Sequence, residues 1–458
     1  MDLAFLKQSL QIRAGFVVLQ CACNHLLPDH ESDAFVAPVA PVGERKPLDG
    51  TITTLFGGLH RWDAQYFLHV AQHGYTHENT LAFLPGLPLL ASGGAAPLVA
   101  SGLLSPPAAL LAAAVLLNTL LAALAAQALL ALSARVLRDR AQARTAALLF
   151  CWSPASVFLA APYSEALFAC LSFTGMLLCE TDRLWGAAAA FGFAAVTRSN
   201  GTLLVGFLVY SLLSKQTTMM FPSTTKENVA KVPLPVTLLY ALWRLGQAAA
   251  LSLLTLAAFA VYQLYAFVLF CTPGAPPVAP HVQRFVRERR LVAPGDMSSP
   301  WCNRTLPMSY GYVQDHYWDV GFLRYYTLRQ LPNFLLAAPT VVLIMHGAVT
   351  YLRRWTLSVL GRAKGGAVVN PLLLPYVLHA VALAGFMVTC AHVQVTTRVL
   401  ASSSPALYCR LHVSAGGSGS ALRWLADPPS RAGTGVQFYF LAYAVIGTCL
   451  FSNNLPWT

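Results

Sequence analysis

Residues 108–132 read AALLAAAVLLNTLLAALAAQALLAL, a run without a single charged side chain. A helix needs about 20 consecutive apolar residues to cross a bilayer, so this stretch alone predicts a membrane span. Working outward, further apolar runs lie at 9–27, 145–162, 164–179, 184–214 (interrupted), 235–271, 332–350, 371–391 and 436–453. Segments 81–103 and 399–413 are ambiguous. The first is broken by Pro85, Pro88, Gly93, Gly94 and Pro97 and reads as re-entrant or interfacial. Only 10% of the 458 residues are charged, against about 25% in soluble domains, which excludes a soluble multidomain enzyme. The expectation is one all-α polytopic membrane domain over 1–458, with about 9–11 transmembrane helices and short interfacial helices in its loops.

Loop charge sets a topology. Within Met1 to Leu27, Lys7 and Arg13 stand ahead of an apolar stretch with no small-residue cleavage site after it, so a retained first helix or signal anchor is expected. Basic residues gather at Arg135, Arg138, Arg140 and Arg144, at Lys215, Lys226 and Lys231, and at Arg353, Arg354, Arg362 and Lys364. Cytoplasmic loops collect such residues. With the N-terminus inside, the opposite face receives 28–107, the Tyr163-Ser164-Glu165 corner, the Arg198-Ser199-Asn200-Gly201 corner, 272–331, and His392 to Arg398. The residues that interrupt apolar sequence therefore fall on one face, which predicts a single lumenal site. The net charge is +12, from 30 Lys+Arg less 18 Asp+Glu. It reads as topological, with anionic lipid as a second use; no basic run is long enough for nucleic acid.

Asn303-Arg304-Thr305 is an N-glycosylation acceptor if its loop is lumenal. Most of the ten cysteines sit in apolar runs as small hydrophobes. Cys271 and Cys302 flank the second loop and can pair only if it is lumenal; the unpaired state is the favoured expectation.

The chemistry centres on His60-Arg61-Trp62-Asp63. Asp63 suits a general base that takes a proton from an attacking hydroxyl, with Trp62 partly desolvating it; the alternative is a belt tryptophan beside a solvated carboxylate. The polar run His73-Gly74-Tyr75-Thr76-His77-Glu78-Asn79 favours function at Asp63. Glu78 is a second carboxylate candidate, although a solvated loop residue is the simpler reading. Glu165 would line a polar cavity or, the preferred reading, cap the helix it starts. Arg198 suits phosphate or an ion pair with Glu165 or Asp63, and Gly201 would permit a sharp turn. Arg398 suits phosphate or snorkels to the interface. In 310–326, Gln314, Asp315 and Trp318 lie among aromatics that fit sugar stacking, but an aromatic belt is preferred. His392 and Gln394 complete the polar set, and no ligand spacing supports a metal.

Together these pieces resemble the GPI mannosyltransferase 2 (PIG-V) family nearly end to end. The resemblance is carried by Trp62-Asp63-Ala64, His73-Gly74-Tyr75 with Ala82-Phe83 and Pro85-Gly86, and Tyr163-Ser164-Glu165-Ala166-Leu167-Phe168. Arg198-Ser199-Asn200-Gly201, Pro300-Trp301-Cys302, Gln314-Asp315 with Tyr317-Trp318, His392-Val393-Gln394-Val395 with Thr397-Arg398, and Leu455-Pro456-Trp457-Thr458 extend it. Leu84 stands where the family tends to carry an aromatic and Asp319 where it tends to carry Asn; 414–435 is shortened and recomposed. The resemblance implies a GT-C glycosyltransferase of the endoplasmic reticulum membrane. It would take mannose from dolichyl-phosphate-mannose and add an α1,6-linked second mannose to a mannosyl-glucosaminyl-phosphatidylinositol acceptor. It implies Asp63 as base, an inverting displacement, and no cofactor or metal. Arg198 and Arg398 are the candidate donor-phosphate ligands. Trp62, Glu78, Tyr163, Glu165, Asn200, Gln314, Asp315, Trp318, His392 and Gln394 are the candidate substrate contacts. A small accessory membrane subunit is a further candidate partner. The competing readings are a lipid transporter or scramblase, against which the absence of an internal repeat counts, and a non-catalytic subunit of a membrane complex.

Overall fold

A computed structural model of the chain describes residues 2–32, 34–38, 45–220, 234–274, 276–361, 369–409 and 431–457, with no strand among them. The 108–132 run lies inside α5 (Pro106–Leu137), which starts on a proline pair after Ser105 and stops where Arg138 turns left-handed. Its alanines let neighbours approach closely. Around it pack α1 (Leu3–Leu26), α4 (Gly86–Ala100), α6 (Arg140–Cys151) and α7 (Glu165–Glu180). The one amide at its centre, Asn118, is fully buried. It donates to the carbonyls of Ala161 and Tyr163 at 2.5 and 2.8 Å, so the core helix holds the loop before α7 in place.

The remaining helices are α2 (Asp49–Phe56), α3 (Asp63–His73), α8 (Leu184–Ala195), α9 (Val205–Met220), α10 (Leu234–Cys271), α11 (Pro280–Glu288), α12 (Ser309–Trp318), α13 (Leu331–Val359), α14 (Leu374–Cys390), α15 (Thr396–Ser403) and α16 (Arg431–Ser452). By length and composition, 5 helices among the described residues can cross a membrane: those at 106–137, 238–271, 328–359, 371–390 and 435–452. The others among the described residues are shorter or, in the case of α1, less apolar. Arg13 lies inside α1, buried, and donates to the carbonyl and hydroxyl of Ser156 at 3.1 and 3.3 Å; it is a core residue rather than an anchor flank. The run 145–162 is not one span. Its helix ends at Cys151, and a short 3-10 turn follows at Ser156–Leu159, because Ser153-Pro154 cannot continue a helix. The ambiguous 81–103 segment forms α4, whose 15 residues reach only about 22 Å and fall short of a bilayer. Of 399–413, the first residues belong to α15, and 410–413 lie outside the described residues, as do Lys226, Lys231, Arg362 and Lys364.

Contacts separate two faces. Asp2 approaches Arg144 at 3.7 Å, so the N-terminus shares a face with the first basic loop. On the other face, the loop between α1 and α5 meets the loop between α10 and α13: Trp301 Nε1 donates to Glu78 Oε1 at 2.7 Å, and Glu78 N to the Val292 carbonyl at 3.0 Å. The end of α16 reaches the same face, where the Phe451 ring lies 5.6 Å from Tyr163.

Cys271 and Cys302 form a disulfide, against the unpaired expectation. It closes a loop with a sequence separation of 31, which constrains the open chain by about 3–4 kcal/mol in the loop-entropy account. Cys271→Ser is therefore expected to raise protease cleavage between 272 and 302 many-fold while the spans stay folded. Equal cleavage of the two proteins would show that the Trp301–Glu78 contacts alone hold the loop.

Candidate active site

Asp63 is the first residue of α3, after a turn in which Trp62 takes φ 53°. A left-handed tryptophan is strained, and it is held because the Asp63 N–H donates to the Tyr163 hydroxyl at 3.0 Å. Tyr163 is buried, and its own carbonyl is held by Asn118. Arg61 points away, pairing with Asp29 at 2.8 Å and with Asn24 at 3.0 Å. The helix start thus leaves the Asp63 carboxylate half-exposed while its backbone is fixed.

The corners expected from sequence converge on this carboxylate. Arg398, near the start of α15, donates from Nη2 to Asp63 Oδ2 at 2.8 Å. Its guanidinium lies 5.2 Å from each of the Phe158 and Tyr163 ring centres, a cage that favours a cation. Glu165, at the first position of α7, is buried. Its Oε1 lies 2.5 Å from Arg198 Nη1 and 3.7 Å from Arg398 Nε. Arg198 also donates to the Ser164 hydroxyl at 3.2 Å. Asp63, Arg398, Glu165 and Arg198 therefore form one chain of alternating charge. Glu165 stands at the positive end of the helix it starts, as the capping reading has it, and it also bridges two arginines. Neither arginine is free for phosphate in this state: Arg198 takes the ion-pair alternative, and Arg398 does not snorkel. Asn200 donates to the Ser403 hydroxyl at 3.0 Å, tying the second corner to the end of α15. A Cβ on Gly201 would stand 2.6 Å from the Ala195 backbone nitrogen. That residue is needed for close approach to α8 rather than for a left-handed turn.

Other candidates sit elsewhere. Glu78 is neither solvated nor open to substrate: it is 1% exposed and accepts from Ser299, from Trp301 and, at 2.9 Å, from the Tyr317 hydroxyl. It pins the second loop to the first. Asp315 is paired with Arg324 at the surface, and Asp319, left-handed at φ 50°, pairs with the same arginine at 3.3 Å. Gln394 accepts from the Tyr325 hydroxyl at 3.0 Å, and His392 stacks on that ring at 4.7 Å. Gln314 is partly buried beside Tyr310. Trp318 meets Tyr66 and Phe83 edge-on at 6.3 and 6.0 Å. Asn303 is exposed beside the disulfide. Leu84 is buried in the packing between the two loops. Residues 410–430, most of the recomposed 414–435 stretch, lie outside the described residues.

An aromatic wall went unread in the sequence. Tyr66 stacks between Phe35 at 4.0 Å and Phe83 at 4.3 Å. Burial, with the Asp63 charge adding, pushes its hydroxyl up to about 12, so it stays neutral. The available signal was spacing: Tyr66 lies three residues after Asp63 and shares its helix face.

Four histidines pack at the far end of α3. The rings of His69 and His73, His69 and His77, and His73 and His281 are 5.2, 5.4 and 5.4 Å apart. Burial, with neighbouring imidazoles adding, holds His69 near 3, and burial holds His77 near 4. An unfolded imidazole binds its proton near 6.5, so between about 4 and 6.5 the open chain takes up protons that the folded loop does not. The stabilisation is complete above 6.5 and declines as pH falls through that window. Amide exchange across 66–80 is expected to accelerate between pH 7 and pH 5; a pH-independent rate, after correction for intrinsic exchange, would contradict it. Among the described residues, no group of three or more His, Cys, Asp or Glu is arranged to hold a metal.

A profile of a family described as mannosyltransferase (PIG-V) matches residues 4–458. The GPI alpha-1,6-mannosyltransferase 2 of Rattus norvegicus is 38% identical, over 99% of this chain and 98% of its own length. The GPI mannosyltransferase 2 of Drosophila pseudoobscura is 36% identical over 99% of each. A solved oligosaccharyltransferase of Archaeoglobus fulgidus superposes on 98% of this chain and 56% of its own, at 13% identity and a TM-score of 0.45.

Proposed function

The chain belongs to the mannosyltransferase (PIG-V) family, and on that premise we propose that it adds the second, α1,6-linked mannose to the glycosylphosphatidylinositol precursor. The donor is dolichyl-phosphate-mannose, the acceptor the one-mannose precursor, and the site faces the lumen of the endoplasmic reticulum. The disulfide supports that orientation, because such bonds persist in oxidising compartments. The exposed Asn303 sequon on the same face agrees with it. The two loops and both polar corners share the face that carries the disulfide, and the N-terminus lies with the first basic loop on the other, which supports this reading.

The chemistry rests on one observation: a fixed carboxylate, Asp63, bonded to a guanidinium in an aromatic cage. The acceptor's 6-hydroxyl attacks C1 of the donor mannose from the face opposite the phosphate. The new C1–O bond forms as the C1–O bond to phosphate breaks, its electron pair leaving on dolichyl phosphate. The hydroxyl proton passes to Asp63. Configuration inverts, and no general acid is needed because phosphate leaves as a stable anion. Arg398 and Arg198 stabilise the charge that develops on it.

The test is complementation of cells that lack the second GPI mannosyltransferase, reading surface GPI-anchored protein and lipid precursors together. Restored anchors with loss of the one-mannose precursor support the assignment. A well-expressed chain that leaves the one-mannose precursor accumulating would overturn it.

A further inference from the structure

We propose that Arg398 is a latch on Asp63 in the unliganded enzyme, and that the donor's phosphate releases it, so that the donor must bind before the acceptor can be deprotonated. The inference rests on reading Asp63 as the base and a lipid phosphate as the leaving group.

The charge chain holds two cations and two carboxylates. An incoming phosphodiester brings one negative charge, and it can gain a guanidinium only by taking it from a carboxylate. The two carboxylates are unequal. The Glu165 side chain is 1% exposed and the Asp63 side chain 35%. A carboxylate left unpaired in the interior is costly, whereas Asp63 can turn to water or to a substrate hydroxyl. The exchange therefore releases Asp63 and leaves Glu165 holding Arg198.

Geometry gives the exchange a path. The Nε atoms of Arg198 and Arg398 are buried and make no hydrogen bond among the described residues. These N–H groups hold no bond that must break when a fork turns from its carboxylate toward phosphate oxygens, which guanidinium forks fit well. Phe158 and Tyr163 hold the Arg398 head without a directional bond, so the fork can swing from Asp63 to an anion and remain in its cage. In the latched state, Oδ2 of Asp63 is taken up by Arg398 Nη2. In the released state it can accept the acceptor hydroxyl. Glu165 is then a positioning residue, keeping both cations beside the phosphate without touching substrate.

The experiment measures binding of a sugar-free polyprenyl phosphate to the full chain in lipid nanodiscs. Asp63→Asn takes the charge out of the latch, leaving at most a neutral hydrogen bond, and spares Arg398, so it is expected to bind this probe at least about fivefold more tightly than wild type, the low end of ordinary coupling between sites. Arg398→Gln is expected to weaken binding by a similar or larger factor. Unchanged or weaker binding by a folded Asp63→Asn protein would overturn the latch, while the role of Asp63 as base would still stand on its lost turnover. If that variant does not fold, wild-type binding decides. The intact one-mannose acceptor should bind enzyme loaded with polyprenyl phosphate at least about fivefold more tightly than donor-free enzyme; equal affinity for the two would refute the release. A wild-type chain that binds no polyprenyl phosphate would sink the donor assignment itself.

Discussion

Asp63→Asn is expected to lower mannosyl transfer by about 10²–10⁴-fold, the range that removal of a general base costs, with the chain still folded. The amide has the carboxylate's shape and can still accept a bond from Arg398, but it cannot take a proton. The backbone anchor is untouched, because the Tyr163 hydroxyl accepts from the main-chain N–H rather than from the side chain. The stability cost is expected to be smaller than that of losing Glu165, since the Asp63 side chain is 35% exposed and Glu165 still faces Arg398 at 3.7 Å. Transfer is read in microsomes supplied with dolichyl-phosphate-mannose and the one-mannose precursor. Full activity in the variant would remove Asp63 from the chemistry. A non-catalytic subunit would also tolerate the change, so the same assay separates an enzyme from a scaffold.

Five of the spans and the corners were legible because both are local signals. Runs without charge mark helices in lipid, and Tyr163-Ser164-Glu165 and Arg198-Ser199-Asn200-Gly201 stood out as polar residues where apolar ones are expected. What joins them was not legible. Asp63 and Arg398 are 335 positions apart, and no periodicity links a carboxylate to one arginine among many. Arg198 beside Glu165 was foreseen as an alternative to phosphate; that one glutamate serves two arginines was not. Glu78 was misplaced for the same reason: its partners Ser299 and Trp301 lie 221 and 223 positions away, so it read as a loop residue in water. Asn118 gave no local sign of its role, since a lone amide in an alanine helix reads as tolerated polarity until its two carbonyl acceptors are placed.

Glu165→Ala should have the largest effect on stability. Glu165 is buried between guanidiniums whose side chains are only 17% and 14% exposed, so solvent cannot replace it well. Removing one member of a buried pair leaves an uncompensated charge and costs about 3–5 kcal/mol. Here the loss falls on Arg198 directly and on Arg398 more weakly, at 3.7 Å. Melting in detergent is expected to shift down accordingly, with reduced yield. A loss below about 1 kcal/mol would mean that water already screens the pair, as it does at surfaces. The double variant Glu165→Ala/Arg198→Ala separates charge from packing. If the penalty is electrostatic, removing Arg198 as well recovers part of the loss, with a coupling of about 0.5–3 kcal/mol. Simple additivity would place the cost in the void left at the start of α7. Glu165→Gln keeps the volume and removes only the charge. It should melt between wild type and Glu165→Ala while leaving Arg398 to pair with Asp63. On the proposed mechanism stability and catalysis therefore separate along this chain of charges: the buried carboxylate holds the arginines in the fold, and the half-exposed one would accept the proton.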